Sequence, residues 1–257
     1  MSSKRRRCGG ARHSIPAVIL AAGKGTRMAA REAKAAAEVG GKAMASRILD
    51  AVRGVGASRV IAVVGHQAAD VRAAMGDGVE YVTQEQQRGT GHAVQCAQAS
   101  LASYRGPVVI TYADIPLLPT DEVARLVARH IEAGAAATLL TAVFDEPGTL
   151  GRIVRADDGS VRGIVEARDA TPEQLAINEI NVGVYCFDVP LLFETLAELT
   201  DDNAQHQLYL TDAIGILVRG CHPVQAVAVA RAHTGMGVDT LDDLAKARRY
   251  STMGEAL

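Results

Sequence analysis

Residues 20–34 read LAAGKGTRMAAREAK, and an apolar run over 15–20 stands directly in front of them. That run is too short to span a membrane and has the length of a buried parallel strand. It ends in small residues and two glycines, Gly23 and Gly25, with Arg27 and Lys34 following. A glycine-rich turn after a strand lets backbone N–H groups approach a phosphate with no Cβ in the way. Two nearby cations then suit a triphosphate. Spacing excludes two familiar phosphate loops. The G-x-x-x-x-G-K-S/T loop fails because the order is Gly23-Lys24-Gly25-Thr26. The dinucleotide fingerprint fails because Met28 stands where its third glycine belongs. On spacing alone, an ordinary glycine-rich βα turn is an equal reading.

Outward from this turn the chain alternates β-rich and helical stretches. Strands are predicted at Val60–Val64, Glu80–Thr83 and Pro107–Tyr112, where apolar or β-branched residues run together. Helices are predicted over 44–52, 67–75 and 90–101, and from Thr120 as N-cap to residue 131 with Asp121 and Glu122 in its first turn. Such alternation implies an α/β fold with a parallel sheet and helices on both faces. Ligands of these sheets bind beyond the carboxyl ends of the strands. Gly23, Gln84 and Asp114 each follow a strand end, so the pattern brings them together. After about residue 137 the rhythm changes. Two short strands, Arg152–Arg155 and 161–166, flank Asp157-Asp158-Gly159, a hairpin turn signal. Further strands are expected over 138–143, 180–187 and 224–229. Helices are expected over 191–199 and 211–219, and a last one follows Thr240, with Asp243 completing a variant capping box.

At 257 residues and 48% apolar, the chain can build one large two-lobed core. A charged fraction of 22% argues against global disorder, and a net charge of −2 carries no nucleic-acid signal. Cys8, Cys96, Cys186 and Cys221 are scattered without C-x-x-C, which reads as reduced thiols in a cytoplasmic protein. Residues 1–14, with Lys4-Arg5-Arg6-Arg7, read as a disordered basic tail; 15–250 form the domain, and 251–257 a C-terminal tail. No membrane partner is expected, and the oligomeric state is left open.

LAAGKGTRM with Lys34 after it resembles the signature of sugar-phosphate nucleotidyltransferases. Within them the chain is most similar to the uridyltransferase half of bifunctional N-acetylglucosamine-1-phosphate uridyltransferase/glucosamine-1-phosphate acetyltransferase. Gln84-Glu85-Gln86-Gln87-Arg88-Gly89-Thr90-Gly91-His92-Ala93 resembles that family's QxxQxGTGHA. A glutamine amide has the donor and acceptor that a uracil edge requires, and glycines let the base pack on backbone. His92 reads as a capping or packing residue. Tyr112-Ala113-Asp114-Ile115-Pro116-Leu117-Leu118 resembles YGDxPLL, with Ala113 in place of glycine. If the backbone there needs φ > 0 the alanine is strained; if substrate merely passes close, its methyl narrows the pocket. Gly151-Arg152-Ile153, Glu166 and Asn181-Val182-Gly183 match the GRI, IVE and NxG segments. Asn203-Ala204-Gln205-His206-Gln207-Leu208-Tyr209-Leu210-Thr211-Asp212 resembles NAQGEYYLTD, with His206, Gln207 and Leu208 for Gly, Glu and Tyr.

The resemblance implies a Rossmann-like nucleotide-diphospho-sugar transferase fold, a mostly parallel sheet with an inserted β-hairpin sugar-binding lobe. It implies transfer of UMP from UTP to N-acetylglucosamine 1-phosphate with release of pyrophosphate, in a Mg²⁺-dependent reaction. By resemblance, Arg27 and Lys34 are catalytic. Leu20, Ala21, Ala22, Gly23, Gln84, Gly89 and Thr90 hold the nucleotide. Tyr112, Ala113, Gly151, Glu166, Asn181 and Thr211 hold the sugar. Asp114 and Asp239 bind the metal, Asp239 standing where the family has Asn. The alternative to this metal role is that Asp239 only stabilises the start of the helix after Thr240. Ala35 to Glu38 replaces the family's VLHP. No hexapeptide repeats occur, so acetyl transfer is not expected. Two alternatives stay open: a transferase of the same fold with another phosphorylated acceptor, and a non-catalytic nucleotide-sugar sensor. Retention of Arg27, Lys34 and Asp114 speaks against the second.

Overall fold

The computed structural model describes residues 15–23, 25, 28 and 33–254. The expected basic tail, Arg27 and residues 255–257 lie outside these. The first half builds β1 (Ala17–Ala21), a short ribbon β2 (Glu38–Val39) and β3 (Lys42–Ala43), α1 (Met44–Gly54), β4 (Val60–Val64), α2 (Ala68–Met75), β5 (Glu80–Thr83), α3 (Thr90–Cys96), α4 (Gln98–Leu101), β6 (Pro107–Tyr112) and α5 (Thr120–Ala133). The second half adds β7 (Ala137–Val143), β8 (Arg152–Arg155), β9 (Val161–Val165), α6 (Pro172–Leu175), β10 (Glu179–Asp188), α7 (Val189–Ala197), α8 (Asp212–Arg219), β11 (Val224–Ala228) and α9 (Leu241–Gly254).

The main sheet runs β11-β7-β10-β6-β1-β4-β5, and the β8–β9 hairpin joins it through β10. Pairs β1/β4, β1/β6, β4/β5 and β7/β11 are parallel, while β10 is antiparallel to both β6 and β7. The sheet is therefore mostly parallel with one reversed strand. Every β1 residue is buried. Alternate residues feed two apolar layers: Ala17, Ile19 and Ala21 face one, Val18 and Leu20 the other. That is the period-two geometry of a strand covered on both faces. Strand order reverses beside β1, with β4 and β5 on one side and β6 on the other. The carboxyl ends of β1 and β6 thus frame the switch point at which open α/β sheets bind ligands.

Several element boundaries differ from expectation, among them those of α5, α3 and α9. Pro119, extended at φ −82° and ψ 153°, takes the N-cap position of α5 and Thr120 becomes its first residue, since the proline sets the entry direction. The helix expected over 90–101 divides at Ala97, whose N–H reaches back only three residues to Val94 O. Helix α9 runs on to Gly254, past the expected boundary at 250, with Ser251 buried. Its start carries the reciprocal pair expected there: Thr240 N–H donates to Asp243 Oδ2 at 2.9 Å and Asp243 N–H to Thr240 Oγ1 at 3.2 Å.

Candidate functional site

A cleft of about 620 Å³ opens across the ends of β1 and β6 toward the β8–β9 hairpin. Among the expected nucleotide residues, Leu20, Ala21, Ala22, Gly23, Gln84, Gly89 and Thr90 all line it. So do Lys34, Asp114 and Asp239, and on the hairpin side Tyr112, Ala113, Gly151, Glu166 and Asn181. Thr211 is the exception, and Arg27 falls outside the described residues.

The two glycines of the first turn have different reasons. Gly25 has φ +59°, and a Cβ there would stand 2.9 Å from Lys34 Cβ, so the fold itself needs glycine. Among the described residues, a Cβ on Gly23 would meet nothing within 4 Å. That space opens onto the cleft, which Gly23 lines. Lys34 opens a short 3₁₀ turn, and the N–H of Ala33 before it donates to Asp70 Oδ2 on α2 at 2.9 Å. Sequence reading missed Asp70 because its partner lies 37 residues away.

Lys34 Nζ sits 2.6 Å from Asp114 Oδ2 and 2.6 Å from Asp239 Oδ1. Burial alone would lower its pKa, but the two carboxylates together outweigh burial and the net shift is upward. The repulsion expected between Asp114 and Asp239 is therefore answered by an internal cation. Their spacing has a second support, because Val238 N–H donates to Asp114 O at 2.9 Å. Two carboxylate oxygens converging on one positive charge are also a fitting donor set for a hard divalent cation.

Gln84 is buried, and its Nε2 donates to Gly89 O at 3.0 Å and lies 2.9 Å from His92 Nδ1. A carbonyl can only accept, so Nε2 belongs on this side and His92 Nδ1 accepts the second hydrogen. Burial first, then the charge of Arg88, lowers the His92 pKa and favours that neutral ring. With both donors engaged, Gln84 presents only Oε1 as acceptor, rather than the donor and acceptor pair expected. His92 orients that amide as well as packing.

The glycines of this motif also serve another purpose than base packing. At Gly89, φ is +114° and the Leu208 main chain crosses where a Cβ would be. Leu208 N–H donates to Arg88 O at 2.8 Å, Gly91 N–H to Leu208 O at 2.8 Å, and Leu210 N–H to Thr90 Oγ1 at 2.9 Å. Two motifs 120 residues apart are thus laced together.

In the hairpin lobe, Arg152 donates from Nη2 to Gly148 O at 3.0 Å and from Nη1 to Leu150 O, which folds the loop before Gly151. Asn181 N–H donates to Gly151 O at 2.9 Å. The Asn181 side chain donates to Tyr185 Oη at 2.7 Å and accepts from Gly183 N–H at 3.1 Å, inside a register shift of β10. Gly183 has φ +84°, and a Cβ there would stand 2.6 Å from the Tyr112 ring, so Tyr112 packs on bare backbone. Burial pushes the Tyr112 phenol well up, leaving it neutral. Glu166 is shifted up by burial, a rise that the hydrogen bond from Thr211 Oγ1 at 2.8 Å opposes. Thr211 therefore stands behind Glu166 rather than on the cleft.

Gln205, Gln207 and Tyr209 line the cleft instead, with Gln205 Nε2 donating to Tyr209 Oη at 2.7 Å. At Thr211 the backbone is already helical, φ −61° and ψ −31°, which turns its side chain away. Ala113 does not have positive φ, so the strain reading is excluded and its buried methyl remains as a wall of the cleft.

A family model described as a MobA-like NTP transferase domain matches residues 17–214. The chain belongs to that family of nucleotidyltransferases. The match runs from β1 into α8 and takes in both laced motifs. Among curated relatives, the bifunctional protein GlmU of Corynebacterium jeikeium is 43% identical over 237 residues, 90% of this chain and 48% of its own length. Its namesakes from Corynebacterium efficiens (42%, covering 91% and 50%) and Acetivibrio thermocellus (43%, covering 91% and 51%) are alike. The chain thus spans about half the length of the curated relatives it matches. A solved Bacillus anthracis structure described as a glucose-1-phosphate thymidylyltransferase, in complex with sucrose, superposes with a TM-score of 0.73. It covers 92% of this chain and 95% of its own, and at 17% identity it speaks to the nucleotide-diphospho-sugar transferase fold alone.

Proposed function

We propose that the chain transfers the uridylyl group of UTP to N-acetylglucosamine 1-phosphate, giving UDP-N-acetylglucosamine and pyrophosphate. One observation carries this: a single cleft joins an amide acceptor at Gln84, an open glycine turn, a lysine between two carboxylates, and the Glu166 and Asn181 side chains. The Oε1 acceptor of Gln84, a cleft-lining residue, suits the N3–H of uracil and not the unprotonated N3 of cytosine. Gly23 leaves the triphosphate room. An oxygen of the sugar phosphate attacks the α-phosphorus as the bond to the pyrophosphate oxygen breaks. The attacking oxygen is already anionic, so no strong base is needed, and catalysis is positioning and charge neutralisation. Lys34 neutralises the phosphates, a role Arg27 shares at the leaving pyrophosphate. Glu166, held by Thr211, would accept from sugar hydroxyl and acetamido groups, and Asn181, held by Tyr185, would donate to them; the bonds that hold these side chains support the reading. Asp114 and Asp239 would hold Mg²⁺, which when bound supplies positive charge to the substrate phosphates. Small-molecule substrates and a cytoplasmic setting complete this reading; among the described residues, no helix is long and apolar enough to cross a membrane.

The Ala113 methyl and Gln207 in the cleft keep a second acceptor in view: another hexosamine 1-phosphate. Pyrophosphate release from each of four NTPs against a panel of sugar 1-phosphates decides. We expect turnover with UTP and N-acetylglucosamine 1-phosphate. Turnover confined to another sugar selects the second acceptor, and ligand binding without any turnover would reduce the protein to a sensor.

A further inference from the structure

The position occupied by the Lys34 ammonium is the feature of the cleft that the proposed reaction leaves unexplained. Lys34 is there to meet phosphate, yet Nζ makes contacts of 2.6 Å with one oxygen each of Asp114 and Asp239. Its side chain is only 15% exposed, against 28% and 34% for the carboxylates, so the cation lies deeper than the groups it joins. Those are the same two carboxylates that would receive a divalent cation. An ammonium and a metal ion cannot both sit between them.

The pair does not depend on the lysine for its spacing. Asp114 ends the β6 ladder, where Ala113 N–H donates to Leu20 O at 3.0 Å, and Val238 N–H donates to Asp114 O at 2.9 Å. Asp239 follows directly, with its own N–H on Asp243 Oδ2 at 3.2 Å. Hydrogen bonds at the main chain of Asp114 and Asp239 thus keep the two residues side by side. Lys34 approaches from a separate short turn tethered to α2 by Asp70. A lysine side chain with several rotatable bonds can swing away while the carboxylates remain where they are.

We infer that Lys34 is a resident counter-ion that competes with the divalent cation for Asp114 and Asp239, so that the metal enters as the triphosphate draws the ammonium away. The inference rests on the proposed reading that this carboxylate pair is the cation site. With the lysine in place the three groups carry a net single negative charge; without it the pair carries two. Metal binding to the nucleotide-free protein is therefore weakened by the lysine. Nucleotide and metal reinforce each other, because phosphate oxygens supply Lys34 with an alternative partner. The chain thereby avoids filling the site before substrate arrives.

Mn²⁺ alone, titrated into the nucleotide-free protein and followed by electron paramagnetic resonance, is the probe. Lys34→Met should lower the Mn²⁺ dissociation constant at least tenfold, while Lys34→Arg, which keeps the cation, should stay within about threefold of wild type. Circular dichroism verifies that each variant is folded. Wild-type protein offers a second measurement that needs no substitution: saturating Mg²⁺ should raise the rate at which Lys34 is acetylated by an N-hydroxysuccinimide ester several-fold, read by mass spectrometry of the peptide. A folded Met variant that binds Mn²⁺ no more tightly, or a Lys34 acetylation rate indifferent to Mg²⁺, overturns the competition. Asp114→Asn separates the two levels. If it weakens Mn²⁺ binding while Lys34→Met changes nothing, the carboxylates are the cation site and only the exchange is wrong. If neither substitution alters Mn²⁺ binding, the site assignment falls with it.

Discussion

Glu166 shows how a single side chain can be useful and costly together. Burial raises its pKa, so the folded protein favours the protonated acid more than the unfolded chain does. Stability contributed by this group is then lost as pH rises from the ordinary glutamate range through the raised folded value. Above that value the cost is complete. Glu166→Gln keeps an acceptor for Thr211 and removes the charge. Calorimetry should show a higher melting temperature than wild type at neutral pH, with the difference vanishing below the ordinary glutamate range. A difference that is the same at both pH values would show that the charge is not the cause. Sugar binding should suffer in the same variant if the proposed role is right. His206 is another residue whose position explains a departure from the family pattern. Its φ of +50° is a left-handed conformation that a glycine adopts without strain, and the Asn203 side chain braces the turn by accepting from Gln205 and Gln207 N–H at 3.2 Å each.

At the scale of elements, the loop after β5 and the segment before α8 form one unit. Two glycines, equally plausible as phosphate or base contacts, separate into different classes. Gly89→Ala forces a side chain into the Leu208 main chain at φ +114°, a strain of about 1–3 kcal/mol that should lower the melting temperature clearly. Gly23→Ala meets nothing within 4 Å among the described residues and should leave the melting temperature unchanged while raising the KM for UTP. Chemical denaturation and initial-rate kinetics on both variants check the contrast. If Gly23→Ala unfolds the protein, or Gly89→Ala is as stable as wild type, the division is wrong.

For the whole molecule, the product is expected to bridge the lobes, from Gln84 beside the first turn to Glu166 on the hairpin. At a concentration of one hundred times its dissociation constant, a ligand confined to the folded state adds about 2.7 kcal/mol. For a chain of 257 residues, that corresponds to a rise of roughly 5–10 °C in melting temperature with UDP-N-acetylglucosamine. CDP-N-acetylglucosamine, matched in concentration, should give much less, since cytosine N3 meets another acceptor at Gln84 Oε1. Equal shifts from both would remove Gln84 as the base reader.

What the sequence by itself determined was local. Uninterrupted apolar runs specified β1, β4 and β6, because strands covered on both faces have no polar alternation to confuse the pattern. The residues just beyond β1, β5 and β6, namely Gly23, Gln84 and Asp114, followed as cleft residues from the rule for parallel sheets, before any partner was known. The tertiary structure decided whatever depends on partners distant in the chain. The reversal of β10 could not be read from its residues, since a buried strand looks the same in either direction. Thr211 turned away from the cleft because the helix begins there. Gly89 is glycine because Leu208 crosses it, and Lys34 faces Asp114 and Asp239 because separate segments converge at the switch point. Periodicity records which face of an element is buried, but it carries no record of what arrives from elsewhere in the chain to cover it.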